Sequence, residues 1–171
     1  VTVRLDPGDW VTMPLSIQAA RIGAGGVLGQ IANAYLFEDD MRSIIENAVG
    51  GSASDALSGN QVSNRLEGRG GYDYLKGWGG ADLLIGGEGN DTYSVEDSGD
   101  RIVEKEGGGI DKVESSATSY RLSAHVEHLI GMDNTKGQRL LGNAQDNRIV
   151  ANHWADFLDG GAGADTLVGD Y

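Results

Sequence analysis

Aspartate or asparagine recurs every nine residues in the middle of this chain, each time at the end of a glycine-rich turn. The five consecutive units are GGSASDALS, GNQVSNRLE, GRGGYDYLK, GWGGADLLI and GGEGNDTYS, which start at residues 50, 59, 68, 77 and 86. Carboxylates that converge with backbone carbonyls offer the oxygen ligands that a hard divalent cation prefers. The pattern G-G-x-G-x-D-x-U-x, with U apolar, is typical of calcium-binding parallel β-helices, so the repeat predicts calcium sites.

The spacing of the acids predicts two columns of turns. If each coil of chain contains two nonapeptides, turns on the same side of the stack recur every 18 residues. One column then contains Asp55, Asp73 and Asp91, and the opposite one contains Asn64, Asp82 and Asp100. A calcium ion between stacked turns would take about six to eight oxygens from carboxylates and glycine-loop carbonyls. Magnesium fits such a site poorly because it requires a stricter octahedron and keeps its water.

The predicted sites differ in quality. The strongest pairs Asp73 with Asp91, because both of their turns are rich in glycine. The pair of Asp55 with Asp73 comes next, and Asn64 with Asp82 follows because it has one carboxylate fewer.

The remaining sites are predicted to be weaker or partial. Asp100 follows a turn poor in glycine, and Asp111 needs an enlarged loop because it lies two residues late in the pattern. A second array, GNAQDNRIV, ANHWADFLD and GGAGADTLV, starts at residue 142 and stacks Asp165 on Asn147 and Asp156 on Gln138. The predicted metal ligands are Asp55, Asp73, Asp82, Asp91, Asp100, Asp111, Asp156, Asp165, Asn64 and Asn147, with the turn glycines Gly50, Gly68, Gly70, Gly77, Gly79, Gly87, Gly89, Gly161 and Gly163.

A short strand follows each turn, and only its middle side chain should point inward. The inward residues are predicted to be Leu57, Leu66, Leu75, Leu84, Tyr93 and Ile102. A single strand of this kind buries little, but stacked strands share a continuous core.

Composition restricts the partners and the chemistry. Acidic residues outnumber basic ones 26 to 13, and the net charge of −13 argues against nucleic acid and anionic membranes as partners. The chain has no cysteine, so neither disulfide bonds nor a thiolate zinc site is predicted. No apolar stretch has the length needed to span a bilayer.

The nonapeptides resemble those of the repeats-in-toxin (RTX) proteins, which bacteria export by type I secretion. SIIENAVGG at 43–51 and LDPG at 5–8 resemble segments of the C-terminal domain of serralysin-type metalloproteases. GNDTY at 89–93, followed by VEHL at 126–129, is similar to a longer repeat of secreted RTX proteins. The resemblance implies an extracellular protein, calcium between the turns, and a folding and export module behind a catalytic domain.

The fold class predicted from these features is all-β, a parallel β-roll with an irregular, β-rich flanking segment. We expect the flanking segment at 1–48 to pack on the roll. The nonapeptide roll covers 49–94, a continuation with longer rungs covers 95–132, and the second array covers 133–171. The zinc motif H-E-x-x-H and the C-terminal export signal of serralysins are absent, which indicates a non-catalytic piece of a larger secreted protein.

Two other features leave an alternative open. His125 and His128 have a spacing that does not match a helical zinc motif, so we interpret them as surface histidines. The aromatic residues Tyr72, Tyr74, Trp78 and Trp154 should lie on turns or outward positions. Packing against neighbouring turns is the favoured interpretation, and a polysaccharide-binding or adhesion module of a secreted polysaccharide-modifying enzyme is the alternative. Leu83 and Ile85 should also point outward, under the first 48 residues or a partner domain.

Overall fold

The computed structural model describes residues 2–4, 19–21, 47–132 and 136–169. Every regular element in these ranges is a β-strand. The strands are β1 (Thr2–Arg4), β2 (Ala19–Arg21), β3 (Asn47–Val49), β4 (Ala56–Asn60), β5 (Arg65–Gly70), β6 (Tyr74–Trp78), β7 (Leu83–Glu88), β8 (Thr92–Val95), β9 (Arg101–Val103), β10 (Lys112–Ser115), β11 (Ser119–Arg121), β12 (His128–Gly131), β13 (Arg139–Leu141), β14 (Arg148–Val150), β15 (Phe157–Asp159) and β16 (Thr166–Val168). This part of the chain contains no helix that could cross a membrane.

The strands form two parallel walls. One wall is an eight-stranded sheet in the order β1-β4-β6-β8-β10-β12-β14-β16. The other consists of a five-stranded sheet, β2-β3-β5-β7-β9, and a three-stranded sheet, β11-β13-β15. From β3 onward, successive strands alternate between the walls, so that each coil adds one strand to each. This topology confirms the predicted parallel β-roll.

The register agrees with an 18-residue coil in the first array. Leu57 pairs with Leu75, and Leu66 pairs with Leu84. The strands there are longer than the three residues predicted, because the backbone of the glycine-rich segment continues the ladder as far as Gly70 in β5. Beyond β8 the spacing changes, and Tyr93 pairs with Val113 across the enlarged loop.

The core consists of one inward side chain from each strand. All six predicted inward residues are at most 2% exposed, which confirms that prediction. The later coils continue the two files with Val113, Tyr120, Leu129, Leu140 and Ile149, all of which are buried. Leu83 and Ile85, on either side of inward Leu84, are half-buried.

The N-terminal segment joins both walls through its backbone. The strand β1 pairs with β4, and β2 pairs with β3, both in parallel. The predicted turn at residues 5–8 and the predicted cover over Leu83 and Ile85 lie outside the described residues.

Candidate metal centres

The acidic residues stack in two columns, on opposite sides of the roll, as the 18-residue coil predicts. Each member immediately precedes a strand, so the ladder fixes its height in the stack. The first column consists of Asp55, Asp73, Asp91 and Asp111, and the second column consists of Asn64, Asp82 and Asp100.

Hydrogen bonds connect each column from coil to coil. The backbone N–H of one acidic position donates to the Oδ1 atom of the aspartate one coil later. In the first column the N···Oδ1 distances are 2.7 Å for Asp55 to Asp73, 2.8 Å for Asp73 to Asp91 and 2.8 Å for Asp91 to Asp111. In the second column they are 2.8 Å for Asn64 to Asp82 and 3.1 Å for Asp82 to Asp100. These bonds hold one carboxylate oxygen of each aspartate inside the stack.

The second oxygen of these aspartates has no partner. The Oδ2 atom is buried and accepts no hydrogen bond in Asp73, Asp82, Asp91, Asp100 and Asp111. A buried carboxylate oxygen without a donor is strongly unfavourable, so a repeated series of them needs a compensating group. The donor set is oxygen throughout, which fits a hard cation such as calcium.

Burial also raises the pKa values of these groups. The pKa of Asp91 rises to about 7 because the group is buried and because Asp73 and Asp111 lie nearby. Burial raises the pKa of Asp100 to about 7 and that of Asp82 in the same direction. It raises the pKa of Asp73 and of Asp111 to about 6. Without a cation, the fold therefore favours the protonated form of these carboxyl groups.

This shift predicts that acid stabilises the metal-free fold. A carboxyl group whose folded pKa lies above the unfolded value, about 3.9 for aspartate, stabilises the fold below that value. The contribution is lost as the pH rises through about 6 to 7, the folded values of Asp73 and Asp91. Thermal unfolding in buffer stripped of calcium on a chelating resin should therefore give a higher melting temperature at about pH 4 than at about pH 8. At saturating calcium the order should reverse, because protons then compete with the ion. A melting temperature independent of pH in stripped buffer would contradict the prediction.

The first glycine of each repeat lies directly against the carboxylate of its own turn. A Cβ atom added to Gly68 would overlap Asp73 Oδ2, and one added to Gly77 would overlap Asp82 Oδ2. At Gly50 the same atom would lie 2.8 Å from the carbonyl oxygen of Gly68, one coil later. Carboxylate and carbonyl oxygens from stacked turns thus converge where a side chain would otherwise be.

The left-handed backbone of the turns occurs at the second and fourth positions of the repeat. Gly71 and Gly80, at the fourth position, have φ values of 109°. Neither was predicted as a site residue, whereas the predicted Gly70 and Gly79 occupy the third position without a positive φ. The predicted residues with positive φ are Gly87 (117°), Gly89 (113°), Gly161 (91°) and Gly163 (118°). Consecutive glycines in the sequence do not reveal which of them adopts the turn conformation.

Arg69 occupies the second position with a φ of 84°, which predicts that Arg69→Gly stabilises the roll. A left-handed conformation costs a non-glycine residue roughly 1–2 kcal/mol, and glycine avoids this strain. Arg65→Gly is a matched control, because Arg65 also pairs with Glu67 and its side chain is equally exposed, at 44%. The control should lose about 0.5–1 kcal/mol from glycine in a strand. Chemical unfolding at fixed calcium measures both, and equal destabilisation of the two variants would refute the prediction.

The outer members of the predicted ligand set lie in different surroundings. Asp55 Oδ2 accepts from the Gly51 N–H at 2.5 Å, and Asn64 Oδ1 accepts from the Asn60 N–H at 2.7 Å. Asp165, half-buried near the end of the roll, accepts from the Asn147 N–H at 2.9 Å. The structure therefore does not give these positions the unpartnered buried oxygen of the inner five.

Amide side chains hold the upper coils together. Both oxygens of Asp156 accept hydrogen bonds, Oδ1 from the Gln138 N–H at 2.7 Å and Oδ2 from the Asn152 N–H at 3.2 Å. The Gln138 side chain donates to the carbonyl oxygens of Ser115 and Ala117 at 2.8 and 2.9 Å. Asn147 Nδ2 donates to the Val126 carbonyl at 3.1 Å. Here N–H groups take the place that a cation would have between the other turns.

Two glutamates that the sequence analysis omitted belong to the first column. Glu127 Oε2 accepts from the Asp111 N–H at 2.8 Å and so continues the ladder. Glu104 is buried, and its carboxylate lies with those of Asp91 and Asp111 so that one oxygen of each falls within 4.8 Å of the others. Burial, with the charges of Asp111 and Asp91, raises the pKa of Glu104 to about 8. Its position exactly one coil after Gly86 was the available signal.

The histidines and aromatics lie near the surface. His125, with a φ of 64°, donates its N–H to Gln145 Oε1 at 2.5 Å, and His128 begins β12. Neither belongs to the three-carboxylate group, the one such cluster among the described residues. Tyr72, Tyr74, Trp78 and Trp154 are 39–68% exposed, as predicted. The ammonium groups of Lys76 and Lys136 lie over the rings of Trp78 and Trp154, at 3.6 and 4.0 Å.

The comparisons with known proteins agree with this geometry. A family model described as the RTX calcium-binding nonapeptide repeat matches residues 58–93 and 141–170 in four copies. Neither a curated protein nor a solved structure shows significant similarity to the chain. The matched repeats contain the stacked turns of both arrays, and parallel strands join them into one roll. The chain is therefore an RTX β-roll domain, a calcium-binding module of a generally non-catalytic kind.

Proposed function

We propose that this domain folds when it binds calcium outside the cell, after type I secretion, and thereby supports the export and folding of a larger secreted protein. The observation that carries the proposal is the series of five buried aspartate oxygens without a hydrogen-bond donor, in Asp73, Asp82, Asp91, Asp100 and Asp111.

The energetics of the roll support folding coupled to calcium. The inner aspartates of a column face each other across one coil, so their charges repel when no cation lies between them. The walls are held mainly by one inward side chain per strand, which limits the apolar burial that could offset this repulsion. Bound calcium would supply positive charge between the turns. Because the ions bind only the folded chain, each site shifts the equilibrium toward the fold.

The inner turns offer the most complete ligand sets. Asp73 and Asp91 contribute carboxylates from adjacent coils, and the carbonyl of Gly68 lies beside them in the stack. Asp82 and Asp100 offer a corresponding pair on the opposite side. Sites of modest affinity suffice, since extracellular calcium modules work near 10⁻⁴–10⁻³ M, on the order of extracellular calcium.

The parent protein is proposed to be a serralysin-like metalloprotease. Support comes from the segment at 43–51, which resembles the start of the serralysin repeats, and from the directly following strand β4 in the first wall. The catalytic domain and the secretion machinery would then be the partners of this module.

Far-ultraviolet circular dichroism during a calcium titration tests calcium-dependent folding. The metal-stripped chain at neutral pH should show little β signal, and calcium should produce it cooperatively, whereas magnesium at the same concentration should not. A β spectrum that is unaffected by stripping would overturn the proposal. Secretion requires a second test, in which the full-length parent is followed in culture medium with and without its export system.

The exposed aromatics favour a second candidate function, binding of a polysaccharide. Tyr74, Lys76 and Trp78 project from the outer face of one strand, β6, and Tyr72 precedes it. An aromatic row of this kind can stack on sugar rings. Glycan-array binding that is lost in Trp78→Ala and retained in Trp154→Ala would support this function. Trp154 is a matched control because it is similarly exposed and also has a lysine over its ring.

A further inference from the structure

We propose that Asp91, Glu104 and Asp111 form a three-carboxylate calcium site that binds more tightly than the two-carboxylate turns. This inference rests on the proposed calcium binding of the stacked turns and adds a ligand, Glu104, and a rank order to it.

The placement of Glu104 follows from the coil. Gly68 and Gly86 are first-position glycines that recur at the 18-residue period, and Glu104 occupies the same position one coil later. The loop between Glu104 and Asp111 is enlarged, so that Asp111 still stacks on Asp91, 20 residues earlier, through a 2.8 Å hydrogen bond. In the other turns of the first array this position has no side chain. Here it contributes a carboxylate.

The Glu104 side chain turns back toward the coil below. A Cβ atom added to Gly86 would overlap three polar atoms, Tyr93 Oη, Asp91 Oδ2 and Glu104 Oε1. Tyr93 is the inward residue of its strand, at a position where leucine occurs in the two preceding coils of that wall, and its hydroxyl donates to Glu104 Oε1. Glycine at residue 86 therefore provides the space in which the oxygens meet.

Unpartnered oxygens that face this space point to a ligand independently of the acidic cluster. Asp91 and Asp111 are each 1% exposed, and the Oδ2 atom of each is buried without a hydrogen-bond partner. The ligand atoms of the three carboxylates lie within 4.8 Å of one another. Three carboxylates this close cannot all be ionised without a cation between them.

Glu104 has hydrogen bonds of its own, which defines the competing account. Its Oε2 accepts from the Lys105 and Gly87 N–H groups at 3.3 and 3.4 Å, and its Oε1 accepts from Tyr93. A protonated glutamic acid could remain there as a structural hydrogen-bond partner only. Each carboxylate oxygen has a second lone pair, however, so these bonds leave room for a metal contact. Three carboxylates and adjacent carbonyls favour calcium over magnesium, which prefers to keep several waters.

Calcium stoichiometry and affinity of Glu104→Gln decide between the two accounts. The amide keeps the shape and the hydrogen bond to Tyr93 but removes the charge. Calorimetric titration of the metal-stripped chain with calcium alone should show the tightest site weakened about tenfold or more, or one ion fewer, relative to wild type. Glu106→Gln is the matched control, because Glu106 is exposed in the same loop, and it should titrate as wild type does.

Wild-type stoichiometry and affinity in Glu104→Gln would overturn the site and leave Glu104 a hydrogen-bond partner. If Glu104→Gln does not fold at any calcium concentration, Glu104→Asp decides the question, since it keeps the charge but withdraws the oxygens by one methylene. A weakened tightest site in Glu104→Asp supports the proposal, and unchanged binding overturns it. Failure of the proposed function would look different, because wild-type protein itself would then not respond to calcium.

Discussion

Gly68→Ala is expected to abolish folding at calcium concentrations that fold the wild type, or to cost at least about 2 kcal/mol of stability at saturating calcium. The added methyl would overlap Asp73 Oδ2 and approach the Cβ of Asp73 at 3.0 Å. Asp73 cannot retreat easily, because its Oδ1 accepts the Asp55 N–H and its own N–H is bonded to Asp91. The substitution therefore removes an oxygen ligand position and strains two coils. Calcium-dependent circular dichroism and thermal unfolding measure the effect.

Gly70→Ala is the control for this prediction, in the same turn. A Cβ atom on Gly70 would meet its nearest neighbour, the Glu88 carbonyl oxygen, at 3.8 Å, which is ordinary van der Waals contact. Gly70 also lacks a positive φ, so alanine should fit there with little change in stability. If both variants lose the same stability, the turn responds to glycine content in general and not to the contact with Asp73.

Asp73→Asn is expected to raise the calcium midpoint of folding about tenfold or more, equivalent to about 1.4 kcal/mol per factor of ten. Asp73 is 2% exposed and lies between Asp55 and Asp91, so its charge contributes to two proposed ion positions. Asparagine keeps the oxygen that accepts the Asp55 N–H, which separates the loss of charge from the loss of a hydrogen bond. Calcium titration followed by circular dichroism gives the midpoint.

Asp165→Asn removes the same charge near the end of the roll. Asp165 is only half-buried, and the residue one coil below it is Asn147, whose amide already donates to the Val126 carbonyl. Its midpoint should therefore move much less than that of Asp73→Asn. Equal midpoints for the two variants would argue against ions shared between stacked aspartates.

The coil and its core could be predicted from sequence because their signal is periodic. Each inward residue, such as Leu66 or Leu84, recurs nine residues after the last, and the acids at Asp73 and Asp91 fix the second period. Where the period is constant, the register follows directly. Beyond Tyr93 the spacing of ladder positions changes to 20 and then 16 residues, so phase alone could not assign Glu127 to the position above Asp111.

The finer features of the sites depend on contacts that no repeat reveals. Glu104 is in phase with the first glycines, but only the structure shows that its side chain reaches back to Asp91. Similarly, Asp156 matches the aspartate position of the repeat, yet hydrogen bonds from Gln138 and Asn152 satisfy both of its oxygens. The pattern marks where a carboxylate lies, whereas its need for a cation depends on which neighbours donate hydrogen bonds.

The single inward file on each wall has a consequence for how stability scales with length. In a globular protein the buried fraction of the surface grows with chain length, because volume increases faster than surface. In this roll every coil adds the same two inward side chains, such as Leu75 and Leu84, and the same outer perimeter. Lengthening the array therefore leaves its surface-to-volume ratio constant. A longer roll of this design is as reliant on dissolved calcium, per coil, as a shorter one.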